Sequence, residues 1–318
     1  MSIRISFHRL AAAVAAAGGV GTIGAMGISP AELVREIRQA RLLTEGVVGV
    51  NLMYAGILCD RLLEVCIAER VDYVAIGAGF ARGPFKALAD AGIPGFAIVS
   101  SEKAARIAAR TSGVTGIVVE SGQAGGHLGP ADTEVSIWDL FPPILTALRE
   151  AGFAGPVIAA GGLLDHEDVL RALEMGADGV QLGTRFAVTE ESHASDEMKS
   201  AWLQAHRSQT VDWSPTGMPG RVVDPHPIHK LPRLGDPGVN CINCLKHCRH
   251  RESGASHCIW NSLNNAQKGN VGRGLVFCGG RIGEIHDLLT VDEVFHKLLV
   301  RDNSPTQKPF PVPKIKVI

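Results

Sequence analysis

Between Phe7 and Ala205 the chain repeats one unit, a short apolar run followed by a turn and an amphipathic segment. The runs fall at Val20–Gly24, Val47–Met53, Asp72–Gly77, Gly95–Ser100, Thr115–Glu120, Pro156–Ala160 and Gly179–Leu182. Helical spacing occupies Phe7–Ala17, Ser29–Glu45, Leu58–Arg70, Pro84–Ala91, Glu102–Thr111, Ile137–Ala151, His166–Met175 and Glu190–Ala205. Ser29 is placed to cap its helix, with Pro30 at the first helical position. Near-continuous apolar strands alternating with helices describe a parallel sheet covered on both faces. A doubly wound sheet gives similar local signals, but no Gly-x-Gly-x-x-Gly turn follows a strand. The expected fold is therefore an α/β, (β/α)8 TIM barrel. Seven strands and eight helices, beginning with a helix, leave it one strand short at the front, so the first strand is either curtailed to Ser2–Ile5 or missing.

After about residue 206 the alternation stops. Ser214–Pro219 and Asp224–Pro237 are rich in Pro, Gly, His and charge, as in an ordered excursion over a barrel or a linker. Val291, Val294, Phe295 and Leu298 predict a helix over Leu288–Leu299, and the tail from Ser304 is expected to be poorly ordered. The expected domains are a barrel over residues 1–220 and an extension over 221–318, with a cysteine-bearing segment at about 240–280.

A chain of 318 residues has room for one barrel and such an appendage. Its formal charge of −1 gives no reason to expect nucleic acid or an acidic membrane as a partner. No run of 18 apolar residues occurs. The Ala-rich stretch from Leu10 to Gly21 follows Arg4, His8 and Arg9 and faintly imitates a signal peptide. It leads directly into the repeating pattern, so it reads as the first barrel helix of a cytoplasmic protein. Seven cysteines, an odd and unevenly placed set, argue against a disulfide framework.

Barrel sites form where strands end. The run ending at Glu120 leads into Gly122–Gly129, where four of eight residues are glycine and one is His127. There Gly125 and Gly126 let main chain approach a flat ligand. His127 can exchange a proton with a carbon acid beside a flavin, or simply face solvent; Glu120 can orient it, line the pocket or be structural. Asn51 ends its strand with an amide that either binds a cofactor or ties the loop together. Gly161 and Gly162, then Gly183 and Thr184, follow two consecutive late strands, as in a barrel phosphate site. Arg185 is placed for a structural ion pair. Outside the barrel, Cys241, Cys244, Cys248 and Cys258 form Cys-x2-Cys-x3-Cys-x9-Cys. This spacing suits a 4Fe-4S iron–sulfur cluster, with zinc as the alternative because His247, His250 and His257 lie close by. Cys278 beside Gly279-Gly280 reads as a pocket or packing residue, while Cys59 and Cys66 read as core.

Taken in order, Leu10-Ala-Ala-Ala-Val, Gly18-Gly19-Val-Gly, Gly49-Val-Asn-Leu, Gly125-Gly-His-Leu-Gly129, Ala160-Gly-Gly162 and Gln181-Leu-Gly-Thr-Arg-Phe186 resemble the nitronate monooxygenase (2-nitropropane dioxygenase-like) family. That family includes the flavin-dependent enoyl-acyl-carrier-protein reductases. The resemblance runs over residues 1 to 220 and implies an FMN-binding barrel. It implies that Asn51 and Gln181 contact the flavin, that Gly161, Gly162, Gly183 and Thr184 cradle its phosphate, and that His127 is the base. Met1 resembles the methionine that follows the family's first strand. The cysteine segment departs from the best-known nitronate oxidisers and resembles the cluster-binding stretch of dienoyl reductases related to old yellow enzyme, with a shorter last interval.

Three functions are expected to compete. The first is FMN-dependent oxidation of alkyl nitronates or related carbon acids, with His127 as base. The second is reduction of an enoyl or other unsaturated small-molecule substrate, with NAD(P)H or an electron-transfer protein as donor and the cluster relaying electrons to FMN. The third is a non-enzymatic flavin- and metal-binding subunit of an assembly. Homo-oligomerisation is open.

Overall fold

The computed structural model describes residues 3–299. Its strands are β1 (Gly21–Gly24), β2 (Val48–Met53), β3 (Val74–Gly77), β4 (Gly95–Val99), β5 (Val114–Glu120), β6 (Gly126–His127), β7 (Val157–Ala160), β8 (Gly179–Gln181), β9 (Arg207–Val211) and β10 (Gly220–Asp224). Its α-helices are α1 (His8–Ala16), α2 (Pro30–Leu43), α3 (Cys59–Ala68), α4 (Arg82–Asp90), α5 (Glu102–Ala109), α6 (Ile137–Glu150), α7 (His166–Glu174), α8 (Thr184–Ala187), α9 (Asp196–Leu203), α10 (Arg249–Ser253), α11 (Ile259–Gln267) and α12 (Val291–Leu299).

Seven parallel strands form one sheet in the order β1-β2-β3-β4-β5-β7-β8, with β1 and β8 as its edges. The register sets Ile23 opposite Val50, Val50 opposite Val74, Val119 opposite Ala159 and Ala160 opposite Gln181. The sheet is a curled, open half-barrel, an incomplete TIM barrel carrying a helical extension. Its core joins Ile23, Val50, Val74, Ile117 and Val157 from the strands to Leu33, Ile37, Leu62, Phe85 and Ile144 from the helices. Helices start where a side-chain oxygen can take an otherwise unpaired amide. Ser29, Ser101, Ser136 and Ser195 accept from the third residue onward, and Asp165 forms a reciprocal capping box with Asp168. Each such cap contributes about 1 kcal/mol.

Two parts of the expected pattern differ. Ile3–Ile5 form a turn rather than a strand, because Arg4 is left-handed (φ 58°) and breaks the extension. Ile3 and Ile5 are buried, and Ser6 O accepts from Gly24 N–H (2.9 Å) at the edge of β1. The helix expected over Glu190–Ala205 begins only at Asp196. Residues before it instead pair with the C-terminal part: Thr189 bridges Leu289, and Glu190 N–H donates to Leu289 O (3.0 Å). The C-terminal helix starts at Val291, since Thr290 and Glu293 exchange side-chain and backbone hydrogen bonds. Met1 and the tail from Ser304 lie outside the described residues.

Beyond residue 206 the excursion proves to be an antiparallel sheet in the order β6-β10-β9, with Gly220 opposite His127 and Val222 opposite Gln209. It packs with the cysteine segment around Ile3, Val222, Leu245, Ile259 and Phe277. Among the described residues no helix is long and apolar enough to cross a membrane.

Candidate active site

The carboxyl ends of the strands open onto a cavity of about 270 Å³, near the lower end of the ligand-pocket range. Asn51, Glu120, Gly125, Gly126, His127, Gly161, Gly162, Gln181, Gly183 and Thr184 all line it. The strands explain the convergence: β2, β5, β7 and β8 each end at the same rim. Asn51 is anchored by donating Nδ2–H to Ala75 O across the sheet (3.3 Å).

After β7, Gly161 and Gly162 adopt φ of +94° and +78°. A Cβ at Gly162 would stand 2.9 Å from Gln123 Cβ. This turn therefore shows main chain, not side chain, to the cavity, as a phosphate-holding turn must. At Gly183 a Cβ would meet nothing within 4 Å, so the space beside it is open. Thr184 Oγ1 accepts from Gly279 N–H (2.8 Å), leaving its own hydroxyl proton for a ligand. These features, with the apolar Met26, Met53, Ile98 and Leu182, fit a flat ring system that carries a phosphate, as FMN does.

His127 occupies β6 and is gripped from two sides. Its Nε2 lies 2.6 Å from Ser214 Oγ, and its ring meets Phe277 edge-on at 5.1 Å. Ser214 in turn contacts Thr216 Oγ1 at 3.1 Å. Burial lowers the His127 pKa to about 4, so the ring is neutral at pH 7. Burial pushes Glu120 the other way, up to about 7. The loop between these groups is fastened by Arg221 of β10, which donates to Gly122 O (3.1 Å), Thr133 O (2.7 Å) and Glu134 Oε1 (2.8 Å). Arg185 forms the structural ion pair with Asp287 Oδ1 (2.5 Å) and also donates to Val188 O.

A second wall comes from a segment with no strand-end signal. Phe277, Cys278, Gly279, Gly280 and Arg281 line the cavity, and Gly280 N–H donates to Gln123 O (2.9 Å). A Cβ at Gly280 would lie 1.7 Å from Gln123 Oε1, so a larger residue there would displace the Gln123 amide. Cys278 is buried, and burial raises its thiol to about 12, an inert wall residue rather than a thiolate. The Gly279-Gly280 pair was the visible hint of this wall. Ser214 and Arg221 gave none, because their partners are far away in sequence.

Cys241, Cys244, Cys248 and Cys258 line a separate small cavity and are free thiols. Burial, followed by the nearby Cys258, Cys248 and Cys241, pushes the Cys244 thiol up to about 12. Among the described residues no three His, Cys, Asp or Glu side chains stand in a geometry that would hold a metal ion.

A family model for nitronate monooxygenase matches residues 1–61 and 54–301. The chain belongs to the nitronate monooxygenase family. Within that family it is similar to FabK from Thermotoga maritima, at 28 % identity and a TM-score of 0.79 over 94 % of this chain and 89 % of that one. It is also similar to two bacterial enzymes named (3aS,4S,5R,7aS)-5-hydroxy-7a-methyl-1-oxo-octahydro-1H-indene-4-carboxyl-CoA dehydrogenase. The Mycobacterium tuberculosis enzyme is 34 % identical over 70 % of this chain, and the Rhodococcus jostii enzyme 32 % over 72 %. The chain spans 61 % and 62 % of the length of these two relatives, respectively. This nitronate monooxygenase family member thus shares its fold and family-level relationship with FabK.

Proposed function

We propose that the protein is an FMN-dependent oxidoreductase that reduces an unsaturated acyl thioester or, in reverse, dehydrogenates its saturated counterpart. Its electrons come from NAD(P)H or a one-electron carrier. The observation that carries this reading is the seating of a neutral, half-buried His127 on the same cavity as the two phosphate-type turns. The two relatives named as carboxyl-CoA dehydrogenases support a thioester over a nitro compound.

Asn51 and Gln181 would contact the flavin rings; Gly161, Gly162, Gly183 and Thr184 would hold its phosphate, with Gly125 and Gly126 giving the rings a main-chain approach. Bound FMN supplies hydride transfer. The protein's own part is the proton. In the tautomer whose Nε2–H donates to Ser214 Oγ, Nδ1 keeps its lone pair and serves as base toward the carbon acid next to the thioester carbonyl. In the reducing direction the same nitrogen returns that proton. Glu120, whose pKa burial raises to about 7, is about half protonated near neutral pH and in that form adds a hydrogen-bond donor rather than a charge. The apolar walls from Met26, Met53 and Phe277 exclude water from the reacting carbons.

A second reading, oxidation of alkyl nitronates with His127 as base, is favoured by the family model itself. One experiment separates the two. Protein with FMN is reduced without oxygen and mixed with an enoyl thioester such as crotonyl-CoA, or mixed oxidised with ethyl nitronate in air. Flavin reoxidation by the thioester is expected. Oxygen consumption with the nitronate and no response to thioesters would replace the first reading by the second.

A further inference from the structure

We propose that Cys241, Cys244, Cys248 and Cys258 hold an iron–sulfur cluster of the four-iron class, placed to pass electrons singly into the flavin cavity. The four thiols come from two short stretches, residues 241–248 and the start of α11, yet they line one cavity. The chain spends conformational strain to bring them there. Asn243 (φ 54°) and Ser256 (φ 68°) are left-handed without being glycine, one between the first two cysteines and one just before the last. Arg251 fixes the first stretch by donating to Asn243 Oδ1 (2.5 Å), Leu245 O (3.0 Å) and Lys246 O (3.1 Å). Asn261 Nδ2–H donates to Cys258 Sγ (3.0 Å), a hydrogen bond that favours sulfur carrying negative charge.

A single zinc would draw four sulfurs to about 2.3 Å from one point; among the described residues no group of three His, Cys, Asp or Glu side chains is arranged to hold a metal ion, so the thiols must shift on loading with either metal. A cluster brings its own iron and sulfide and holds its thiolates wider apart. Cys248 and Cys258 are buried, Cys244 is half-buried and Cys241 is exposed, so the site has a dry inner side and a solvent-facing outer one.

The inner side is the wall of the other cavity. Ile259 lines both, and Leu245, next to Cys244, lines the larger one. Ile57 N–H donates to Cys244 O (3.1 Å) and Lys246 N–H to Ala55 O (2.9 Å), which stitches the cysteine loop to the turn after β2. β2 itself carries Asn51 and Met53 to the flavin cavity. In each pass one electron enters from a reduced small electron-transfer protein at the Cys241 side and one leaves across Leu245 and Ile259. The cluster ends as it began, and two passes plus one proton from solvent equal the hydride the substrate receives. Iron binding stands apart from the flavin reading; only the relay rests on it.

The test is iron, acid-labile sulfide, zinc and FMN content of the full chain purified without oxygen, before and after reconstitution with iron and sulfide. About four iron and four sulfide per chain are expected. Zinc without sulfide, or no retained metal after reconstitution, overturns the cluster. Cys241→Ser is the informative variant because the residue is exposed. It should lose more than half the iron yet keep its FMN; full iron content would overturn the ligand set. In wild type, reduced methyl viologen should bleach the flavin at least tenfold faster than in Cys241→Ser. Equal rates overturn the relay alone, and protein with iron but no FMN defeats the flavin reading while leaving the cluster.

Discussion

His127 and Glu120 share one cavity and one cause of perturbation, burial, yet are displaced in opposite directions because burial always favours the neutral form. Replacing His127 by Ala should leave FMN bound and lower turnover by roughly 100-fold or more; unchanged turnover would remove His127 from the chemistry. Glu120 gives a prediction with a definite sign. Its folded pKa is raised, so the stability it contributes is full below about 4.5 and is lost as pH rises through about 7. Glu120→Gln should therefore gain up to about 3 kcal/mol over wild type above pH 8 and nothing near pH 4. A urea midpoint difference that does not change with pH would sink this. Both residues were legible because each stands beside glycines at the end of an apolar run. Ser214 and Arg221, which hold the imidazole and its loop, were not, since a hydroxyl and a guanidinium acquire these roles only through contacts spanning 87 and 99 residues.

At the scale of elements, hydrophobic period and caps located all seven parallel strands, because each is a buried run bounded by turn residues. The same rules failed at residues 190–195, where pairing with Leu289 outcompetes a helix, and at β9, whose Arg-Ser-Gln-Thr-Val reads as polar coil. The four cysteines were visible by spacing alone, while the strand β10 that pairs with β6 was not. The turn after β7 supports a test of its own. Gly162→Ala would force a left-handed alanine against Gln123, so stability should fall by about 1–3 kcal/mol and FMN should dissociate more readily. Equilibrium dialysis would measure the second effect; unaltered flavin affinity would mean the turn does not hold the phosphate.

Across the whole molecule, burial also lowers His193 and His226 to about 4, as it does His127. A histidine with a depressed folded pKa contributes stability that is present above about 6.5 and lost as pH falls through about 4. Three such groups outweigh the opposing slope of Glu120 in that window. The thermal midpoint is expected to fall steadily from pH 7 to pH 4; a flat profile would mean these rings are solvated in the folded state.

The two-residue strand β6 has a further consequence, one of timing. His127 is seated by Ser214, by Gly220 in β10 and by Phe277, all of which leave the ribosome long after the half-barrel strands. A growing chain that has reached α9 already carries both glycine turns but has no partner for the imidazole. The imidazole is thus seated late, together with the Phe277–Arg281 wall, and an unfinished or clipped chain leaves the proposed base without a fixed position.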